Sequence, residues 1–216
     1  LVPSDLQFES PYSNFSLDFD SGGPDYLTGS TTGNIGALSL WFKPSSVIDA
    51  TTGPFCLVNF RNANWGALIL GSFTGTLTDE IISVNYLNAA GASADGRSAY
   101  TSASDTISAE WHHLCINWSG SLYEIWLDGV NKQNDIVGTP EIIPINALEI
   151  ARANGGYYYF DGHMTEMSIW TSALTSSQIT SIYNNGYPRD LKGFSPDQWW
   201  RIGNDAWWDG SNFVLP

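Results

Sequence analysis

Positive charge is scarce in this chain. Eight Lys and Arg stand against 22 Asp and Glu in 216 residues, a formal net charge of −14. Such a chain repels phosphate backbones, which argues against a nucleic-acid partner, whereas an acidic surface favours solubility and cation binding. Long hydrophobic runs are also missing. None approaches the roughly 18 apolar residues of a membrane-spanning helix, so membrane insertion is not expected. Cysteine is limited to Cys56 and Cys115, which fall on different expected strands; one bridge and two free thiols both remain open. Catalytic signatures are lacking too, with no G-x-S-x-G elbow, P-loop or dinucleotide fingerprint. His112 and His113 look like metal ligands, but adjacent strand residues point to opposite faces, and His163 stands alone, so a zinc site is not expected.

What the chain has in abundance is aromatic and turn residues: ten each of Trp, Tyr and Phe, and 21 Gly. With 43% hydrophobic residues, it suits one cored all-β domain with many turns. Residues 1–14 read as a polar lead-in. Leu17 and Phe19 alternate with Asp18 and Asp20 as a first strand, which the Ser21-Gly22-Gly23-Pro24 turn ends. Leu38, Leu40 and Phe42 share one face of residues 37–43. Further strands are expected at 55–60, 66–73 and 81–86, in the rhythm of a sandwich or jelly roll. Residues 88–106 are small and polar and read as a long loop. In the next hairpin, Leu114, Ile116 and Trp118 face Tyr123, Ile125 and Leu127, and Asp128-Gly129 makes the following turn. Leu148 and Ile150 mark another half-buried strand. Residues 163–170 alternate, with Met164, Glu166, Ser168 and Trp170 on one face and Thr165, Met167 and Ile169 on the other. Thr175 and Gln178 then form a capping box, which predicts one short helix near 176–184 with Ile179, Ile182 and Tyr183 as its apolar stripe. Asn185-Gly186 supplies its left-handed stop.

Three stretches occurring in order carry a resemblance: FSLDFDSGGPDYLT (15–28), EWHHLCINWSGSLYEIWLDGV (110–130) and FDGHMTEMSIWTSALTSSQITSIYNNG (160–186). Together they resemble laminin-G/pentraxin-type domains of the concanavalin A-like lectin/glucanase superfamily. The resemblance implies a two-sheet antiparallel jelly-roll sandwich over 15–191. The Trp-rich remainder, 192–216, resembles segments that follow such domains in phage and marine-virus structural proteins, and is expected to open a further section of a longer polypeptide. Pentraxins bridge the Cys115 position to an earlier strand where this chain has Leu40, a departure that puts the bridge in doubt.

The resemblance also directs attention to sites. Retaining glycosidases of the superfamily carry an ExDxxE run that brings two carboxyl groups about 5–5.5 Å apart. No such run is present, and Asp18 and Asp20 read as a solvent-face or turn-capping pair, so catalysis is not expected. A single structural calcium is implied at Asp20, Asp25 and Asp161. The acidic run that holds ligand-binding calcium in pentraxins is here Arg152-Ala153-Asn154, so calcium-bridged recognition does not carry over. Exposed rings stack on sugars while amides and carboxylates read hydroxyls; Tyr157, Tyr158 and Tyr159 beside Asn154, together with Trp65, are the carbohydrate candidates. Trp199, Trp200, Trp207 and Trp208 are the candidate subunit interface. The functional expectation is a non-catalytic module displayed on a virion surface, binding glycan or neighbouring virion subunits in oligomeric form. The alternatives are an extracellular lectin or adhesin module and a glycan-active hydrolase.

Overall fold

The computed structural model describes residues 16–22, 25–61, 66–72, 80–87, 94–138, 145–153, 158–203, 207–208 and 213–214. In chain order the strands are β1 (Leu17–Phe19), β2 (Leu27–Gly33), β3 (Ala37–Pro44), β4 (Phe55–Arg61), β5 (Gly66–Ser72), β6 (Glu80–Leu87), β7 (Ala94–Thr101), β8 (His112–Trp118), β9 (Tyr123–Leu127), β10 (Val130–Asn131), β11 (Asp135–Gly138), β12 (Ile145–Ile150), β13 (Gly162–Trp170), β14 (Gln198–Trp200), β15 (Trp207–Trp208) and β16 (Phe213–Val214), with helix α1 (Ser176–Tyr183) between β13 and β14. A seven-stranded sheet runs β1-β13-β3-β8-β9-β10, with β14 also on β13; a nine-stranded sheet runs β11-β7-β6-β5-β4-β12-β2-β16-β15. The result is the expected jelly-roll sandwich. Among the described residues its pairings are antiparallel except for β16, which lies parallel to β2.

The alternating residues fill the space between the sheets. Leu38, Leu40 and Phe42 of β3 meet Leu114, Ile116, Tyr123, Ile125 and Leu127 of the hairpin, and Leu57, Val58, Phe60, Leu148 and Ile150 from the facing sheet. The turn after β9 has the expected left-handed residues, Asp128 at φ 52° and Gly129 at φ 74°. The seven-stranded sheet is covered on its other face as well. There α1 and its flanks bury Ile179, Ile182, Leu174 and Leu191 against Ala37, Cys115 and Trp170. The capping box that predicted α1 is complete: Thr175 accepts from the Gln178 N–H, and the Gln178 side chain accepts from the Thr175 N–H. Asn117 clamps the approach to the helix from inside β8, its amide donating to the Leu174 carbonyl at 3.1 Å and accepting the Leu174 N–H at 2.7 Å.

Two expectations need correction. Residues 94–101, read as part of a long loop, form β7 along β6. Ala, Ser and Gly conceal the period because burying them yields little apolar area, although Ala99 and Tyr100 are buried. The strict alternation of β13 also fails. Glu166 adopts φ 53° and the register against β3 slips between Thr165 and Ser168, which marks a β-bulge. The extra residue lets Met164, Met167 and Ile169 all reach the core between the sheets, while Trp170 turns to the helix side.

Both cysteines are free and buried, Cys56 in β4 and Cys115 in β8, on opposite sheets. Burial pushes both thiols well above their ordinary value. The adjacent histidines do take opposite faces. His113 is fully buried between β3 and α1, 2.7 Å from Ser39 Oγ and packed against Trp41 and Tyr183.

Burial lowers His113 from 6.5 to about 4, the Asp128 charge opposing only in part. Unfolded His113 takes a proton below about pH 6.5 and the folded residue does not until about pH 4, so stability present above this window is lost as pH falls through it. The loss amounts to about 3 kcal/mol. His113→Gln should flatten that part of the stability profile, as chemical denaturation between pH 4 and 7 would show.

Candidate functional site

One end of the sandwich gathers four segments around a cleft of about 280 Å³: Ser21 after β1, Pro44–Ser46 at the end of β3, Thr52–Phe55 ahead of β4, and Tyr159–Asp161 ahead of β13. Each wall is fixed by local chemistry. After β3, Asp49 Oδ1 accepts the Thr51 hydroxyl at 2.7 Å, the Thr51 N–H at 2.8 Å and the Thr52 hydroxyl at 3.3 Å, which folds the loop and holds Thr52 in place. The Thr51 hydroxyl and N–H hold the Asp49 carboxyl below its usual value. The fourth wall is pinned on both flanks: the Cys56 N–H donates to the Tyr158 carbonyl at 2.7 Å, and the Phe160 N–H to the Ala151 carbonyl at 3.0 Å. Phe160 forms the floor, its ring edge-on to Phe42 at 6.2 Å and tilted against Phe55 at 6.0 Å.

Gly162 makes this wall sterically possible. Its φ is +138°, and an added Cβ would lie 2.2 Å from the Lys43 carbonyl oxygen and 2.9 Å from Pro44 Cα. No side chain fits against that backbone. The tight approach brings Asp161 over the end of β3, where the Ser45 N–H donates to the Asp161 carbonyl at 3.0 Å.

The structure unites parts of two candidate sets that the sequence kept separate. Tyr159 from the carbohydrate set and Asp161 from the metal set line the same cleft. Tyr158 turns outward at φ 57° and is 41% exposed, in line with at least one of the tyrosines facing out. Tyr157, Asn154 and Trp65 lie outside the described residues. Among the metal candidates, the Ser21 hydroxyl donates to Asp161 Oδ2 at 3.1 Å, which ties the first loop to the cleft. Asp20 Oδ1 accepts the Gly22 N–H at 2.8 Å in an Asx turn, and Asp25 Oδ2 accepts the Asp20 N–H at 3.3 Å. Among the described residues, no group of three His, Cys, Asp or Glu side chains is placed to hold a metal. Asp20 and Asp161 are neighbours through Ser21, while Asp25 braces the backbone of the turn.

At Trp200 the tryptophan interface needs correction. Trp200 is 3% exposed and belongs to the core between the sheets. Trp199 is half-buried against the helix-side cluster, its indole N–H donating to Glu166 Oε2 at 2.6 Å. Both belong to β14, which pairs with β13 and so uses its rings for packing within the chain. Trp207 and Trp208 form β15 on β16; nothing further is described of their side chains. Sequence reading missed Ser21, Ser45 and Thr52 as cleft residues. Only Asp49-x-Thr51-Thr52 carried a local signal, as an Asx/ST-turn pattern.

Comparison with known proteins gives the fold its family. The Laminin_G_3 family model, described as concanavalin A-like lectin/glucanases superfamily, matches residues 21–180. The chain belongs to this superfamily. A relative, Jeltraxin from Lepidobatrachus laevis, is 23% identical over 117 residues, 49% of this chain and 46% of that protein. The chain thus spans about half the length of that curated relative. A protein from Bacteroides ovatus ATCC 8483 described as carbohydrate binding superposes over 94% of this chain and 55% of its own, with a TM-score of 0.60 at 14% identity. A heptameric SAP-like pentraxin from Limulus polyphemus covers 93% and 91%, with a TM-score of 0.49 at 16% identity. At 14% identity the likeness to the Bacteroides ovatus structure speaks to the fold alone.

Gly162→Ala should destabilise the domain by about 3 kcal/mol or more, since it adds both a backbone clash and left-handed strain. Thermal unfolding would register the loss, and a melting temperature equal to that of the parent chain would contradict the steric reading of this wall.

Proposed function

We propose that this domain is a non-catalytic carbohydrate-recognition module and that the cleft at the end of the sandwich takes a sugar unit. The observation that supports it is the lining itself. Tyr159 provides an aromatic ring, Asp161 a carboxylate, and Ser21, Ser45 and Thr52 hydroxyls, above a Phe55–Phe160 floor. That mixture of apolar surface and convergent polar groups suits a polyol, and the volume lies just below the roughly 300–1,000 Å³ of small-molecule sites, room for a single sugar unit. The carbohydrate-binding description of the Bacteroides ovatus structure agrees with this reading.

The module works best in many copies. Weak single-site sugar affinity becomes useful through multivalency, and display on a virion surface is the setting proposed; capsid or tail genes beside the parent gene would support it. Calcium enters only as a stabiliser of the rim. Asp20 and Asp161, joined through Ser21, would offer it carboxylate oxygens, and backbone carbonyls would complete the shell. Millimolar calcium is then expected to raise the melting temperature and EDTA to lower it.

One arrangement favours a second reading, hydrolysis. His112 Nδ1 lies 2.7 Å from Asp128 Oδ2, and Ser108 Oγ lies 3.1 Å from His112 Nε2. Burial alone would raise the Asp128 carboxyl, but hydrogen bonds from His112 and from the His113 N–H outweigh it and hold it below the usual value. None of these residues lines the cleft. His112 Nε2 is also 3.2 Å from the Ser108 carbonyl, and Asp128 Oδ1 accepts the His113 N–H at 2.9 Å, as a clasp between β8 and the turn after β9 would require.

A glycan array followed by titration tests the main reading. Tyr159→Ala and Asp161→Asn should each weaken the best glycan about tenfold or more, the scale of a lost charge-assisted hydrogen bond or buried ring. Unchanged binding in both variants would remove the cleft from consideration. Turnover of an activated ester that disappears in Ser108→Ala would favour hydrolysis instead.

A further inference from the structure

The face of the nine-stranded sheet turned away from the core carries an ionic cluster that neither the cleft nor the packing between the sheets uses. Leu148 and Ile150 of β12, with Val58 and Phe60 of β4, point into the core. The residues between them point the other way, so Asn59 and Glu149, which are direct register partners, lie side by side on the outer face. Both are buried there, Asn59 at 0% and Glu149 at 3% exposure. Arg61, two residues beyond Asn59, shares that face and brings Nη1 to 3.5 Å from Glu149 Oε1. Arg152 returns over the same carboxylate, Nη2 to Oε1 at 2.8 Å, with its guanidinium 3.3 Å from the centre of the Tyr26 ring.

We propose that this cluster is a second binding site, independent of the rim cleft, that takes a carboxylate-bearing sugar unit such as a uronate. Four features converge on that class. Two guanidinium groups face one carboxylate, which leaves an excess positive charge on a chain whose net charge is −14. Arg61 is the exposed member, its side chain 37% accessible, and its contact with Glu149 is too long for a hydrogen bond, so its planar fork of donors remains for a ligand carboxylate. Asn59 donates through Nδ2 to Glu149 Oε2 at 2.8 Å, which fixes the amide and leaves Oδ1 as a buried acceptor without a partner; Arg152 Nε is a buried donor in the same condition. Sugar hydroxyls both donate and accept, and so can answer an orphan acceptor and an orphan donor together. The backbone is held to this arrangement at some cost: Ala151, which lacks the side-chain chemistry that eases left-handed φ, sits at φ 66° and turns Arg152 back onto Glu149. Arg61 contacts the ligand. Arg152, Tyr26 and Glu149 are positioning residues that keep the patch rigid.

Isothermal titration with a galacturonate oligomer, a neutral galactose oligomer of equal length and a sulfated galactose oligomer tests the assignment. The galacturonate oligomer should bind, more weakly as salt rises, and the neutral one should not bind at this site. Arg61→Gln should weaken the galacturonate complex about ten- to a hundredfold, the effect of losing hydrogen bonds to a charged group. Arg61→Lys should fall between the two, since it keeps the charge and loses the fork. Galacturonate binding that Tyr159→Ala abolishes and the Arg61 variants keep belongs to the cleft and overturns this assignment, so that failure of the cleft reading and failure of this one are told apart. Circular dichroism and melting of each variant report the fold, and Arg61→Lys serves as the binding test should Arg61→Gln not fold. The proposal is overturned by absence of galacturonate binding, by equal affinity in the Arg61 variants, or by binding of the sulfated oligomer alone.

Discussion

The fold depends on burying β3, β8 and β13 on both faces at once. A sandwich needs one apolar face per sheet, but here α1 and the segments around it cover the second face of the seven-stranded sheet. Residues alternating with core positions therefore have to be apolar, neutral or fully satisfied. Ala37, Cys115 and Trp170 meet the first requirement, His113 the second and Asn117 the third. Helix α1 is a lid whose removal would expose an indole, a thiol and an imidazole together.

The nine-stranded sheet solves the same problem differently. Its outer face keeps polar residues, and several of those buried there have partners, as Glu149 has in the Asn59 amide and Ser83 in the Gly71 carbonyl, to which its hydroxyl donates at 3.2 Å. One sheet thus presents a hydrophobic second face to its own helix and the other a polar second face. The rim, where loops of both sheets meet, combines the two chemistries in a single cleft.

Local chemistry was legible in the sequence, and contacts between distant segments were not. Helix α1 could be located to within a residue because Thr175 and Gln178 satisfy each other within one turn. The hairpin was equally legible, since alternation and Asp128-Gly129 are both short-range signals. The bulge at Glu166 was not, because it follows from the need of Met164 and Met167 for the same core and from the bond between Glu166 and Trp199, 33 residues away. Trp200 was misread for a related reason: a tryptophan pair resembles an exposed patch until its partner strand, β13, is known. The rim showed only its parts, Tyr159 and Asp161, because two of its junctions, Ser45 to Asp161 and Cys56 to Tyr158, are backbone bonds that carry no residue signature, and a third, Ser21 to Asp161, joins side chains far apart in the sequence.

The two free thiols give the sandwich an internal clock. A thiol reacts as its thiolate, and each of these is kept protonated within a different sheet, Cys56 buried in β4 of the nine-stranded sheet and Cys115 beneath the helix. Alkylation of Cys115 reports departure of α1 from the sheet, whereas alkylation of Cys56 reports opening of β4 itself. A single chain thereby carries two chemically identical reporters for two separate layers, and their relative labelling rates give the order in which those layers come apart.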